Sequence, residues 1–313
     1  MITKISTADM SRDEWVLSRK STIGGSDAAT IVGLNPHSSL YALWAEKTGR
    51  LPEKDDSESM RLGRDLEEYV ARRFTELTGK RVRRDNHTYY NSKYPWAHAN
   101  IDRAIVGEDA GLECKTTIAH NAHKFTDEEF PANYYVQAVH YMAVTGKSRW
   151  YIAVLILGVG FRWYCIERNE EEIHALMIEE QKFYRHIETD EAPPIDGSEA
   201  TTKAISSIYN AEEYAEESVV PLDLHEDTLE QIKRVQIEIT RLTELKTELE
   251  NGIKAELKND ALGESEKYKV TWRRQSRKSF NAKKFAKEHP ELNLDSYYTE
   301  SNYRVFNLTE KEI

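Results

Sequence analysis

The residues best able to do chemistry lie in two neighbouring strand-like segments. Asp102 belongs to the first segment, and Glu113 and Lys115 belong to the second, with the turn Gly-Glu-Asp-Ala-Gly between them. Two apolar runs joined by such a turn predict a β-hairpin. Side chains two residues apart share one face of a strand, so we expect Glu113 and Lys115 to lie together and Asp102 to meet them from the other strand. Two carboxylates beside a lysine predict a site that binds a divalent cation and orients an attacking water.

The Glu-x-Lys pattern alone is common, and a solvated ion pair on a surface hairpin is its more frequent explanation. A third acid from another element would strengthen the catalytic interpretation. Glu67 is a candidate, because Leu66, Val70 and Phe74 mark the buried face of a predicted helix and Glu67 lies at the edge of that face. An exposed helix glutamate is the competing interpretation.

Two further features could contact a nucleic acid. Arg19 precedes two adjacent glycines and Ser26, which stand just before a predicted helix. Free backbone N–H groups at a helix start can receive a phosphate, although Ser26 is equally consistent with an ordinary N-cap. Gln137 and Tyr141 are one helical turn apart, so they can face one cleft or simply form a buried pair.

The surrounding elements predict an α/β (α+β) domain with a mixed central sheet flanked by helices. Apolar spacing predicts helices over residues 26–32, 39–48, 58–78, 132–144 and 169–188. Strands are predicted over residues 81–90, 98–106, 112–117, 150–157 and 161–166. This first domain is expected to span residues 1–195, because the stretch 189–202 has the Pro, Gly and acidic character of a linker. The linker itself is predicted over residues 196–220.

The C-terminal part, residues 221–313, has a different character. A helix predicted over 221–260 carries apolar residues at three- and four-residue steps, interrupted by Lys246, which fits an intermolecular coiled coil or a helix packed within its own chain. A strand, a short helix and a strand are predicted over 268–275, 281–288 and 303–308. Residues 267–287 hold nine Lys or Arg and no Asp or Glu. We expect this accessory region to hold DNA or a partner, with a plain solvated surface as the alternative.

The amino-acid composition is that of a globular protein without membrane spans. The 313 residues carry a net charge of −11 and have a mean hydropathy of −0.69. Overall negative charge argues against indiscriminate nucleic-acid binding, although a local basic patch can still bind DNA. No apolar run approaches the roughly 18 residues of a membrane span, and the N-terminus does not resemble a signal peptide. With only two cysteines, Cys114 and Cys165, both expected to be buried free thiols, we expect a cytoplasmic protein.

The motifs in order resemble one family. Over residues 10–195 the chain resembles the phage λ exonuclease and YqaJ-type viral recombinase family of the PD-(D/E)xK nuclease superfamily. The motifs that carry the resemblance are Arg19, Gly25-Ser26, Gly63-x-x-x-Glu67, Asp102, Glu113-x-Lys115 and Gln137-x-x-x-Tyr141. Two features depart from related patterns: Ile101 replaces the proline often found before the first acid, and two cysteines exclude the iron–sulfur variants that need four.

The resemblance implies a phage- or prophage-encoded enzyme in a bacterial host cell, one that digests double-stranded DNA from 5′ to 3′ and releases 5′-mononucleotides. It implies Mg²⁺ or Mn²⁺, with two ions, a homo-oligomeric ring such as a trimer, and a single-strand annealing partner of the RecT/Redβ type. By position, the metal ligands would be Asp102, Glu113, the backbone carbonyl of Cys114 and, through water, Glu67. Lys115 would orient the nucleophilic water, Gln137 would lie near it, and Arg19, Ser26 and Tyr141 would contact the 5′-phosphate or the DNA.

Two other functions share these features. An endonuclease of the restriction or repair type would use the same acids and lysine but would not need a 5′-phosphate pocket, so Arg19 and Ser26 favour the exonuclease. A non-catalytic recombination scaffold would not need a complete set of Asp102, Glu113 and Lys115, so their presence favours an enzyme.

Overall fold

A computed structural model of the chain describes all residues except 9, 12–13, 15–17, 53–55, 210–218, 300–301 and 312–313. The described residues form two compact units, Met1–Tyr209 and Asn210–Ile313. The helices are α1 (Gly25–Ile31), α2 (Leu40–Lys47), α3 (Glu58–Thr78), α4 (Ala132–Thr145), α5 (Glu170–Thr189), α6 (Glu199–Ile208), α7 (Glu226–Leu257) and α8 (Ala282–Glu288). The strands are β1 (Ile2–Ser6), β2 (Val82–Arg84), β3 (His87–Asn91), β4 (Tyr94–Asn100), β5 (Arg103–Ile105), β6 (Ala110–Ile118), β7 (Arg149–Leu157), β8 (Gly160–Glu167), β9 (Leu262–Glu264) and β10 (Lys269–Thr271).

The first unit is built on a mixed sheet, as predicted. Its five strands lie in the order β2-β5-β6-β7-β8. Strands β6 and β7 are parallel and joined through α4, whereas the other neighbours are antiparallel. A second, antiparallel sheet has the order β1-β3-β4, and its strand β1 was not predicted. The predicted α/β class with a mixed central sheet is therefore confirmed.

Helices cover both faces of the five-stranded sheet, and β7 shows how. Its side chains alternate, so that Tyr151 and Ala153 pack in one apolar cluster with Phe74 of α3. Trp150 and Ile152 point the other way, into a larger cluster that includes residues of α1, α2, α4 and α5. Strands buried on both faces are apolar throughout, which is why β7 reads as a continuous apolar run. The sheet thus holds α3 on one side and α4 on the other.

The two strands predicted over 81–90 and 98–106 are each divided between the two sheets. Residues 82–91 and 94–105 form one bent antiparallel pair that leaves the three-stranded sheet and enters the five-stranded one. At the bend, three residues (85–87) face two residues (101–102), so the register changes by one. Such a one-residue shift is a β-bulge, and its extra residue lies in the segment 85–87. Asp102 lies on the opposite strand of the pair, in the short gap between β4 and β5.

The predicted linker over 196–220 is wrong in its first half. Ser198 caps helix α6 by accepting a hydrogen bond from the backbone N–H of Thr201. The Thr201 hydroxyl then donates to Ser39 Oγ at 2.7 Å, and Ala204 lies in the main core. The first unit therefore extends to Tyr209, not to residue 195. Residues 210–218 of the predicted linker lie outside the described residues.

Two truncations test this boundary. We expect a chain ending at Tyr209 to fold stably, whereas a chain ending at residue 195 loses α6 and uncovers the core surface on which Ala204 packs. Loss of several buried side chains from a unit of this size is expected to lower the unfolding midpoint by at least about 5 °C. Thermal unfolding of both proteins measures the difference. Equal midpoints would show that α6 adds nothing to the first unit.

The second unit consists of α7, the β9–β10 hairpin and α8. Helix α7 lies inside the predicted range 221–260, and most of its apolar stripe is exposed, including Val235, Ile239, Leu242 and Leu249. The strand predicted over 268–275 is shorter, and the described residues of the range 303–308 form no strand. No helix among the described residues is long and apolar enough to cross a membrane.

Candidate active site

Strand β6 places an acid and a lysine on one face of the sheet, as predicted. Lys115 Nζ donates to Glu113 Oε1 at 2.7 Å. Burial opposes the charge of Lys115, but Glu113 and Asp102 outweigh it and raise its pKa. Lys115 therefore stays protonated, which suits a group that orients water or stabilises negative charge and not one that accepts a proton.

Asp102 meets this pair from the short gap between β4 and β5. It lies outside both strands, so its predicted position within a strand is wrong, although its predicted approach to Glu113 is found. Its Oδ2 accepts a hydrogen bond from the backbone N–H of Cys114 at 2.8 Å. Burial, Glu113 and Glu67 raise the pKa of Asp102 well above its usual value. A buried carboxylate such as Asp102, whose ionisation its surroundings disfavour, is stabilised in its charged form by positive charge beside it.

Helix α4 supplies the next contacts to Glu113. The amide Nε2 of Gln137 donates to Glu113 Oε1 at 2.9 Å and to the Tyr141 hydroxyl at 2.8 Å. Both residues therefore face one site, as their spacing predicted. Tyr141 in turn lies against the backbone of Gly25 in α1, where an added Cβ would come within 2.6 Å of the Tyr141 ring. The glycine allows α1 to approach α4 closely enough to fix the ring.

Glu67 lies close enough to Asp102 to affect its pKa, but the carboxylate of Glu67 is paired with two arginines. Its Oε1 accepts a hydrogen bond from Arg103 Nη1 and forms an ion pair with Arg84 at 3.6 Å. Arg103 is only 2% exposed and also donates to the carbonyl of Asp102 at 2.8 Å and to Glu68 at 2.9 Å. Arg103 therefore ties α3 to the backbone segment that carries Asp102. Sequence reasoning missed this residue, although an arginine within an apolar segment needs a buried anionic partner.

Arg19 lies near Tyr141 and contacts a buried histidine, His98. Its Nε–H donates to His98 Nε2 at 3.2 Å. Burial, Arg19, Lys47 and His140 lower the pKa of His98 well below its usual value, so the ring is neutral. The ring proton then lies on Nδ1, which donates to Thr22 Oγ1 at 2.8 Å. The Arg19 guanidinium is also close enough to Tyr141 to lower its pKa, against the larger raising effects of burial and Glu113.

Ser26 is exposed in the first turn of α1 and is not the N-cap. That position belongs to Gly24, whose N–H donates to the Asp27 carboxylate at 2.8 Å. Asp27 pairs with the buried Lys47 at 2.6 Å, and Lys47 Nζ also donates to the carbonyl of Thr22 at 2.9 Å. An ion pair that sequence reasoning did not find thus holds the short connection, residues 21–24, between Arg19 and helix α1.

A second histidine supports the first. His140 of α4 donates from Nε2 to the carbonyl of His98 at 2.9 Å, and its Nδ1 lies 2.7 Å from Glu180 of α5. Burial opposes protonation of His140, but Glu180 outweighs it and raises the pKa of His140. This pair links α5 to the strand that carries His98, and it too was missed.

The donor atoms fit a hard divalent cation. Glu113 Oε2 is buried and has no hydrogen-bond partner among the described residues. The N–H of Cys114 points to Asp102, and the N–H and C=O of one strand residue point to the same edge, so the Cys114 carbonyl faces the same edge as Asp102. The described residues offer no cluster of three His, Cys, Asp or Glu side chains arranged for a metal. Two carboxylates and a carbonyl nevertheless suffice for Mg²⁺, which keeps several waters.

The two cysteines behave differently from each other. Both are free, as predicted. Cys114 is half-buried in β6, but Cys165 is exposed in the outermost strand, β8, so its predicted burial is wrong. In β8 the alternation buries Tyr164 and Ile166 and leaves Cys165 on the outer side.

Comparison with known proteins identifies the family. A model of the YqaJ-like viral recombinase domain matches residues 14–148. A Bacillus subtilis (strain 168) protein, "Uncharacterized protein YqaJ", is 36% identical over 307 residues, which are 97% of this chain and 96% of that protein. The chain belongs to the YqaJ-like viral recombinase family. The family model covers every residue of the candidate site, from Arg19 to Tyr141.

Solved structures of low sequence identity resemble the chain in part. An alkaline exonuclease (LHK-Exo) from Laribacter hongkongensis has a TM-score of 0.48 and 17% identity, covering 57% of this chain and 93% of that one. A phage related exonuclease from Haemophilus somnus 129PT has a TM-score of 0.43 and 12% identity, covering 54% and 96%.

Proposed function

We propose that this YqaJ-like protein is a metal-dependent exonuclease that digests double-stranded DNA from 5′ to 3′ and leaves 3′ single strands for recombination by annealing. One observation carries the proposal: the buried Glu113 Oε2 has no partner, while Asp102 and a charged Lys115 stand beside it. The family is one of viral recombinases, and recombination through an annealing protein of the RecT/Redβ type requires such single strands.

Asp102, Glu113 and the Cys114 carbonyl would hold the cation, Mg²⁺ or Mn²⁺, with Glu67 contributing through water. When bound, such a cation lowers the pKa of water and neutralises charge on the phosphate. Lys115 adds a fixed positive charge where the phosphodiester gathers negative charge. Because the lysine is already protonated, it orients the attacking water and stabilises the phosphate, and it does not remove the proton.

Gln137 is the positioning residue of this arrangement. Its amide holds Glu113 Oε1, which leaves Oε2 directed away from both Gln137 and Lys115. The Tyr141 hydroxyl accepts the second amide hydrogen, and burial and Glu113 raise the pKa of Tyr141 well above its usual value. The phenol therefore stays neutral and adds no further negative charge to the site.

End recognition would come from Arg19, assisted by Ser26. A guanidinium offers two parallel N–H groups to a phosphate, and its Nε contact with the neutral His98 aims the group. The effect of the Arg19 guanidinium on Tyr141, which contacts Gln137, supports a phosphate-binding position beside the acids. A 5′-phosphate held there would set the scissile bond against Asp102 and Glu113.

Digestion of three substrates tests the proposal. With Mg²⁺, we expect linear duplex with 5′-phosphates to be degraded fastest, linear duplex with 5′-hydroxyl ends more slowly, and closed circular duplex not at all. Chelation of the metal should stop all digestion. Cleavage of the closed circle at a comparable rate would instead identify an endonuclease, and no digestion of any substrate would favour a scaffold.

Arg19→Ala is expected to remove most of the preference for 5′-phosphorylated ends. Loss of a charge-assisted contact of about 1.5–3 kcal/mol corresponds to a roughly 10- to 150-fold lower kcat/KM on phosphorylated ends, with little change on hydroxyl ends. Ser26→Ala should act in the same direction more weakly. Arg72→Ala, which removes an exposed arginine of α3, is the matched control. An unchanged ratio between the two ends in Arg19→Ala would refute the assignment.

A further inference from the structure

The second unit contains a strongly basic surface in an acidic chain. The segment 267–287, called here the basic segment, holds nine Lys or Arg and no Asp or Glu, whereas the whole chain has a net charge of −11. Acids outside the segment pair with two of these cations, Lys269 at 3.0 Å and Lys284 at 3.7 Å. The other cations of the segment form no ion pair with any described residue. Positive charge without local compensation attracts a polyanion.

Exposed aromatic rings accompany the charge. Backbone hydrogen bonds extend the β9–β10 ladder to Tyr268 and Trp272, so these residues and Val270 share one face of the hairpin. Gly263, opposite Val270, lies against Leu257 of α7, which anchors the middle of that face. Tyr268 is nevertheless 74% exposed and Trp272 47% exposed. The hairpin therefore presents two rings on a supported surface.

We infer that the β9–β10 hairpin and the basic segment bind single-stranded DNA. Aromatic rings stack on bases, and the faces of bases are free in a single strand but occupied in a duplex. The cations that follow Trp272, beginning with Arg273 and Arg274, then contact the phosphates. Neither ring meets another ring among the contacts of the described residues, so both are available for stacking.

This inference rests on the proposed function in one respect: the proposed digestion would produce the single-stranded DNA that the hairpin binds. Digestion from a 5′ end leaves a 3′ single strand attached to the product. A site for that strand would keep the enzyme on its substrate between cleavage events, and it would hold the strand before an annealing protein receives it. Binding itself needs no hydrolysis and can be measured without metal.

The test uses the full chain, EDTA and a fluorescent oligodeoxythymidylate, with binding followed by anisotropy over a range of salt concentrations. Trp272→Ala is expected to weaken binding about tenfold or more, and Trp272→Phe to restore most of the affinity. The double substitution Arg273→Ala/Arg274→Ala should reduce the slope of log Kd against log salt by about 1.4, at about 0.7 for each lost phosphate contact. A duplex of equal length should bind more weakly than the single strand.

The matched control is Arg234→Ala/Arg241→Ala, which removes two exposed arginines from α7 of the same unit. We expect this control to bind the oligonucleotide like the unmodified protein. Equal losses in both double variants, or no loss with Trp272→Ala, would overturn the inference, as would tighter binding of the duplex. A protein that binds the single strand but never digests duplex would refute the proposed function alone.

Discussion

Glu113→Gln is expected to lower the rate of duplex hydrolysis by roughly 10³-fold without unfolding the protein. The glutamine Oε1 can still accept hydrogen bonds from Lys115 and Gln137, so the local contacts of Glu113 persist. Only the charge at the partnerless Oε2 is lost, and that charge is what a cation needs. Single-turnover rates on linear duplex with saturating Mg²⁺ measure the effect. Asp102→Asn and Lys115→Ala should give losses of similar size.

The unfolding temperature of the variants distinguishes loss of catalysis from misfolding. In EDTA, Asp102→Asn should unfold at the same temperature as the unmodified protein or higher, because it removes a carboxylate whose ionisation burial, Glu113 and Glu67 disfavour. The asparagine Oδ1 can still accept the hydrogen bond from the Cys114 N–H. Near-normal turnover in any of the three variants would show that the active site lies elsewhere.

Gly25→Ala is expected to reduce hydrolysis at least about tenfold and to destabilise the first unit by about 1–3 kcal/mol. The new Cβ would lie 2.6 Å from Cε1 and 2.8 Å from Cζ of Tyr141, and 3.2 Å from Cγ of Gln137. One of the two helices must shift, and Gln137 then no longer holds Glu113 at the same place. Chemical denaturation and steady-state kinetics measure the two effects.

Gly63→Ala is the matched control for this change. Gly63 also lies in a helix, but an added Cβ would meet only Thr116 Oγ1, at an ordinary 3.9 Å. Replacing a helical glycine with alanine there should raise stability by roughly 0.5–1 kcal/mol and leave hydrolysis unchanged. If Gly25→Ala behaved like Gly63→Ala, close packing of α1 on α4 would not control the site.

Local periodicity was enough to predict much of the site. The two-residue period of a strand placed Glu113 and Lys115 together, and the helical period placed Gln137 and Tyr141 on one face. The interruption between β4 and β5, where Asp102 lies, could not be predicted, because it depends on the register between two segments about fifteen residues apart and on which sheet each joins. Asp102 was therefore assigned to a strand that ends before it.

Other features were missed because they depend on contacts between distant parts of the chain. Arg103 stands in an apolar segment that calls for an anionic partner, but the sequence does not show that Glu67 and Glu68 supply it. His98 and His140 look ordinary in sequence, and their roles depend on partners that tertiary packing brings close. Helix α6 was different, since Ser198 after Gly197 is a recognisable N-cap signal that the acidic, proline-containing stretch before it obscured. The division at Tyr209 follows from the packing of that helix.

The most direct test of the central claim follows both ends of one labelled duplex. A linear duplex carrying a radioactive 5′-phosphate on one strand and, in a parallel sample, a 3′-label on the same strand is incubated with Mg²⁺. We predict early release of the 5′-label as a mononucleotide, with the 3′-label kept on progressively shorter strands, and neither change with Asp102→Asn. Early release of the 3′-label, internal fragments as first products, or unchanged digestion by Asp102→Asn would contradict the account.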